Sequence, residues 1–231
     1  MKTIGLIGGM SWESSGEYYR LINEMVHERL GGFHSAESVM LSVDFAEIEL
    51  MQREGRWEEM AQRLAKAAKS LESSGADFIL LCTNTMHKVA DEIQADMRVP
   101  LIHIADPTAR RIRAEGLHKV GLLGTRYTME EDFYKKHLVE EFGLEVIIPD
   151  APEREVVHRV IFDELVLGKI NPASKAEYME IIEAMVEKGA QGVILGCTEI
   201  GLLIHPEDAR VPLFDTTRIH AEAAVEYALS T

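Results

Sequence analysis

The chain has 231 residues, 46% of them hydrophobic and 27% charged, with a net charge of −15. That surplus of acid argues against nucleic-acid or anionic-membrane binding, which needs clustered Lys and Arg. Only two cysteines occur, Cys82 and Cys197, so no disulfide framework is implied, and no Cys/His cluster has zinc-site spacing. The opening MKTIGLIGGMSWE is too short in its apolar run for a signal peptide, and no stretch nears a membrane span. A cytoplasmic protein is expected.

The pattern alternates strand and helix. TIGLI (3–7) reads as a strand, and the helix after it carries Ser14 and Glu17 at capping-box spacing and ends at Gly31. VMLSV (39–43) is a second strand. The Glu-rich stretch 45–59 reads as a solvated face. Met60, Leu64, Ala67, Ala68 and Leu71 recur at helical spacing through about 57–74. FILL (78–81) and PLIHI (100–104) are strands, with a helix from about Met86 between them and another opened by Pro107.

Then the pattern restarts. KVGLLGT (119–125) resembles TIGLIGG (3–9), and Thr128 and Glu131 suggest a capping box. EVII (145–148) is a strand, and a helix fills 152–167 up to Gly168. Another helix opens at Pro172 and runs to Gly189. GVIL (192–195) and VPLF (211–214) are strands, and a last helix covers 216–229.

Such alternation predicts parallel sheets covered by helices. The repeat is half a chain long, so the expected fold is α/β with two similar parallel-sheet domains. They are expected to be related by a pseudo-twofold axis, with the active site in the cleft between them. The expected domains are 1–105 plus 216–231, and 106–215. GADFILLCTNT (75–85) aligns without a gap on GAQGVILGCTE (189–199), pairing Thr83 with Cys197 and Cys82 with Gly196.

Ligands in such sheets bind beyond the carboxyl ends of the strands. GGMS (8–11), CTNT (82–85), GTRYT (124–128) and GCTE (196–199) sit at those ends. Two acid/base groups on opposite sides of one carbon can invert it. A thiol, with a pKa of about 8.5, is a plausible base, whereas a threonine hydroxyl is a far weaker acid. Cys82 follows an apolar run and reads as a buried structural thiol. His87 and His103 read as local hydrogen-bonding groups, and IGLIGGMS lacks the GxGxxG spacing of a nucleotide loop.

The paired CTNT and GCTE motifs, with IGLIGGMSWESS at the start and GTRYTM at mid-chain, resemble the aspartate/glutamate racemases over essentially the whole chain. That family usually has cysteine in both motifs. Here Cys197 matches the second and Thr83 stands at the first, similar to the branch specific for L-aspartate and L-glutamate. The resemblance implies a cofactor-independent, metal-free racemase of acidic amino acids, a homodimer. It makes Cys197 the base for the L-enantiomer and Thr83 its partner. It assigns Asn84 and Thr85 to the substrate α-carboxylate, and Thr198 and Glu199 to the α-ammonium or the second catalytic loop. Met10 and Thr125 occupy matching strand ends, and Gln52 and Arg53 are candidates for the side-chain carboxylate. A related one-cysteine decarboxylase and a non-catalytic two-lobed small-ligand binder are the alternatives.

Overall fold

Short apolar runs between helical segments leave the chain one economical arrangement: parallel strands, each returned by a helix. The computed structural model describes residues 1–230 and divides into two compact units, Met1–Ile104 with the stretch from His220 onward, and Ala105–Ile219.

The first unit contains β1 (Ile4–Gly8), α1 (Trp12–Leu30), β2 (Ser38–Ser42), α2 (Phe45–Arg53), α3 (Trp57–Ser73), β3 (Phe78–Leu81), a 3₁₀ turn at Thr85–Val89, α4 (Ala90–Ala95) and β4 (Leu101–Ile102). All its strand pairs are parallel, in the order β2-β1-β3-β4. Side chains alternate across the sheet. Ile7, Ile79 and Leu81 face one apolar layer with Met60, Leu64 and Leu71 of α3. Ile4, Leu6, Phe78, Leu80 and Cys82 face the other, built on α1 and the chain beyond His220. Each buried Leu or Met contributes about 1.5–3 kcal/mol.

The second unit contains α5 (Ala105–Ala114), β5 (Lys119–Gly124), α6 (Arg126–Glu130), α7 (Asp132–Phe142), β6 (Glu145–Ile147), α8 (Ala151–Asp163), α9 (Pro172–Glu187), β7 (Val193–Gly196), α10 (Ile200–Leu203) and β8 (Leu213–Asp215). The helix α11 (Thr216–Leu229) follows. The strand order is β6-β5-β7-β8, again parallel, so the two units repeat one topology. Its core joins Val160, Ile161, Tyr178, Ile182, Met185, Val193 and Leu195. No helix among the described residues is long and apolar enough to cross a membrane.

Several local expectations shift. The first helix begins at Trp12, capped by Ser11, whose Oγ accepts the Ser14 amide at 3.4 Å, so Ser14 lies inside the first turn. Thr125, not Thr128, caps α6, and Glu131 is extended between α6 and α7. The capping carboxylate of α8 is Glu153, which accepts the Asp150 amide at 2.8 Å. That helix ends at Asp163, before a separate 3₁₀ turn at Leu165–Leu167. The helix α5 starts at Ala105, which places Pro107 inside its first turn. The stretch 45–59 holds a helix, α2, started by Asp44, whose Oδ1 accepts the Ala46 amide at 3.1 Å. Only Ile48, Met51 and Gln52 of α2 are buried, a stripe too narrow to outweigh the acidic composition in a sequence reading.

Candidate active site

In each unit the strand order reverses between two central strands, β1 and β3 in the first, β5 and β7 in the second. Crevices at such reversals bind ligands at the carboxyl ends. The pairing brings Ile7 beside Leu81 and Gly124 beside Gly196, so each of the four loops follows a central strand.

In the first unit Met10, Gln52, Thr83, Asn84 and Thr85 are all buried. Gly9 makes the first loop possible: its φ is +92°, and a Cβ there would strike the Val43 carbonyl. Ser15 Oγ accepts the Gly9 amide at 2.7 Å and donates to the Ser11 carbonyl at 2.8 Å, closing this turn. The Thr83 amide donates to the Leu81 carbonyl at 2.8 Å, a tight turn straight off β3. Gln52 projects from the buried stripe of α2, whereas Arg53 is 64% exposed and pairs with Glu49 at 3.0 Å. Arg53 therefore does not join the buried set. Cys82 is fully buried in the apolar layer, and burial pushes its thiol pKa far up.

In the second unit Thr125, Cys197, Thr198 and Glu199 are buried. Thr125 Oγ1 accepts the Thr128 amide at 3.3 Å, and His158 Nδ1 accepts the Arg126 amide at 3.2 Å. The Cys197 thiol donates to Glu199 Oε2 at 3.0 Å, and the Thr198 hydroxyl donates to the same oxygen at 2.8 Å. Burial first, then the Glu199 charge and its hydrogen bond, push the Cys197 thiol well above its ordinary value. In the resting site it is a protonated thiol held against a carboxylate.

Three residues outside the predicted set shape this loop. Thr216 Oγ1 donates to the Leu195 carbonyl at 2.8 Å, and Thr217 Oγ1 donates to the Thr198 carbonyl at 3.3 Å. Paired threonines directly after a strand were the available signal. Tyr178 lies beside Cys197 and donates to the Val157 carbonyl at 2.9 Å; burial, then Cys197, push its hydroxyl up. Nothing in the sequence around Tyr178 separates it from ordinary core.

Two units built to one strand order, with buried hydroxyl, amide, thiol and carboxylate groups at the reversals, define the two-domain α/β fold of the amino-acid racemases. The chain belongs to the Asp/Glu/hydantoin racemase family, which it matches over residues 7–224, and it is a racemase of that family. It is 55% identical to a candidate Asp/Glu racemase of known structure from Yersinia pestis, at a TM-score of 0.92 with 100% of both chains covered. An aspartate racemase homologue from Pyrococcus horikoshii OT3 is 40% identical, at a TM-score of 0.86, also with 100% of both chains covered. The broad specificity amino-acid racemase RacX of Bacillus subtilis (strain 168) is 26% identical over 180 residues, 75% of this chain and 74% of that protein.

Proposed function

We propose that the protein racemises acidic amino acids, L-aspartate or L-glutamate to the D-form, by two-base proton transfer at the α-carbon without a cofactor. The observation that carries this reading is the Cys197 thiol donating to Glu199 at the end of β7. On substrate binding the thiol proton passes to Glu199 Oε2. The thiolate then takes the α-proton of the L-substrate. The electron pair of that C–H bond spreads into the substrate α-carboxylate. The Thr83 hydroxyl delivers a proton to the opposite face and regains one from water, Glu199 gives its proton to the hydroxide so formed, and Cys197 keeps the former α-proton as its thiol hydrogen. Bonds made and broken balance, leaving only inversion.

Asn84 and Thr85 serve the α-carboxylate, Thr198 and Glu199 the ammonium, and Gln52 the side-chain carboxylate. A hydroxyl is a much poorer base than a thiolate, so D-substrate is turned over slowly. Enantiomers have an equilibrium constant of one, so kcat/KM is equal in both directions. The asymmetry therefore appears in kcat and KM together.

Chiral chromatography after incubation of L- and D-aspartate and glutamate in deuterium oxide tests this. Cys197→Ser and Thr83→Ala are expected to lose about 10²–10⁴-fold in racemisation, the usual contribution of an acid/base group, and Cys82→Ala to retain it. A Cys197→Ser protein of undiminished rate, or a folded but dead Cys82→Ala, refutes the assignment. Absence of α-deuterium with every substrate leaves a binder, and carbon dioxide release without D-product leaves a decarboxylase.

A further inference from the structure

His87 sits buried in the 3₁₀ turn that follows Thr83. Its ring makes two hydrogen bonds to main chain. Nε2 receives the Ile104 amide at 3.1 Å, and Nδ1 lies 2.8 Å from the Thr83 carbonyl. An amide N–H only donates, so Nε2 is the unprotonated nitrogen. The neutral ring therefore carries its proton on Nδ1 and donates it to Thr83.

That bond answers a local need. In an α-helix the amide of residue 87 would reach the carbonyl of residue 83. Here the tighter turn sends the His87 amide to the Asn84 carbonyl at 3.1 Å. The Thr83 carbonyl receives the imidazole instead, while the Thr83 amide is held by Leu81. Both peptide groups of Thr83 are thus fixed, one of them through a ring anchored just beyond β4. His103 packs edge-on against that ring at 4.4 Å between centroids.

The repeated half differs here. In the register that pairs Thr83 with Cys197, Gly201 stands where His87 is. The Cys197 carbonyl is met by the Ile200 amide at 3.1 Å, so no side chain is needed. A Cβ at Gly201 would lie 2.7 Å from Asp215 Oδ2, so a side chain there would have to displace Asp215. The imidazole accompanies the hydroxyl half and not the thiol half.

We propose that His87 is a positioning residue for Thr83, holding the weaker acid at a fixed angle so that it can protonate the carbanion face opposite Cys197. The inference rests on the two-base reading above.

The test uses L-aspartate in deuterium oxide and reads two quantities by chiral chromatography with mass detection: deuterium washed into recovered L-substrate, and D-product formed. The first needs Cys197 alone, the second needs Thr83 as well. His87→Leu is expected to raise the ratio of exchange to inversion about tenfold or more, since ångström misplacement of a reacting group costs up to about 10²-fold. His87→Asn, whose amide N–H overlays Nδ1, is expected to restore the ratio to within about threefold of wild type. His87→Gln, whose oxygen overlays Nε2, is expected not to. Should His87→Leu fail to fold, the Asn and Gln ratios decide. An unchanged ratio in His87→Leu, a parallel fall of exchange and inversion, or rescue by Gln alone overturns this inference and leaves the racemase reading intact. A wild type that places no α-deuterium overturns both.

Discussion

Cys197 and Glu199 share a hydrogen bond of 3.0 Å in which the thiol donates and the carboxylate accepts. The same carboxylate oxygen also receives Thr198, so the loop folds its polar groups onto one acceptor at the end of β7. Burial disfavours a thiolate here, and the adjacent Glu199 charge disfavours it further. On the proposed reading Cys197 is the base, its proton needs a local acceptor, and Glu199 is the group in contact.

Replacing Glu199 by Gln tests that role. With the carboxylate present the thiol proton stays within the pair, so kcat/KM for the L-substrate is expected to be nearly flat from pH 6 to 9. With Gln the proton must leave to water, and the buried thiol resists this. The variant is expected to lose about 10²-fold or more at pH 7 and to recover by about tenfold per pH unit toward pH 9 and above. A Glu199→Gln protein with wild-type rate and a flat profile removes Glu199 from the proton path.

Alkylation separates the two thiols. Only the thiolate reacts, and both pKa values are raised, Cys82 by burial and Cys197 by burial and Glu199. In the native protein iodoacetamide is expected to label Cys197 slowly at pH 7 and faster as pH rises past 9. Cys82 is expected to react only in urea. Peptide mass mapping reads both sites. Native Cys82 labelled as fast as Cys197 contradicts the burial argument.

The two facing glycines that end β5 and β7 are packed too closely for side chains. A Cβ on Gly196 would lie 2.7 Å from the Leu123 carbonyl, and one on Gly124 2.7 Å from the Gly196 carbonyl. Gly196→Ala must therefore push the strand ends apart, and a loss of about 1–3 kcal/mol in urea unfolding is expected. Because Cys197 follows directly, kcat should fall as well. Wild-type stability for Gly196→Ala means the strands separate at no cost, against the close packing of these strand ends.

Much of this was legible from the residues. Apolar runs of four or five gave β1, β3, β5 and β7, and the shared Gly-Ala-to-polar phrase gave the duplication that the matching strand orders display. Helix α2 was not legible, because its acidic surface outweighs a stripe of three buried side chains. Helix starts moved by a few residues wherever two cap-competent hydroxyls compete, as Ser11 and Ser14 do; the extended backbone of Ser11 decides, and no local pattern encodes it. Within the candidate site, residue types at strand ends were visible. Long-range bonds such as Thr216 to Leu195 were not, because 21 residues separate the partners.

His220 gives the first unit an acid limit. Its Nδ1 lies 2.8 Å from the Tyr18 hydroxyl and its Nε2 2.9 Å from the Ile102 carbonyl. Nε2 therefore donates to the carbonyl, and Nδ1 accepts from Tyr18. Burial is the main cause lowering its pKa from 6.5 to about 3. The unfolded chain takes up a proton below pH 6.5 that the native ring refuses until about pH 3. The stabilisation is thus complete above pH 6.5 and lost as pH falls toward 3, at about 1.4 kcal/mol per pH unit. Other groups titrate in the same range, so the comparison is between wild type and His220→Gln. The variant is expected to be less stable at pH 8, and the gap to narrow by about 1.4 kcal/mol per unit below pH 6 in urea unfolding. A gap that stays constant from pH 8 to pH 4.5 means His220 takes up its proton equally in both states, against the burial of the ring and its bond from Tyr18.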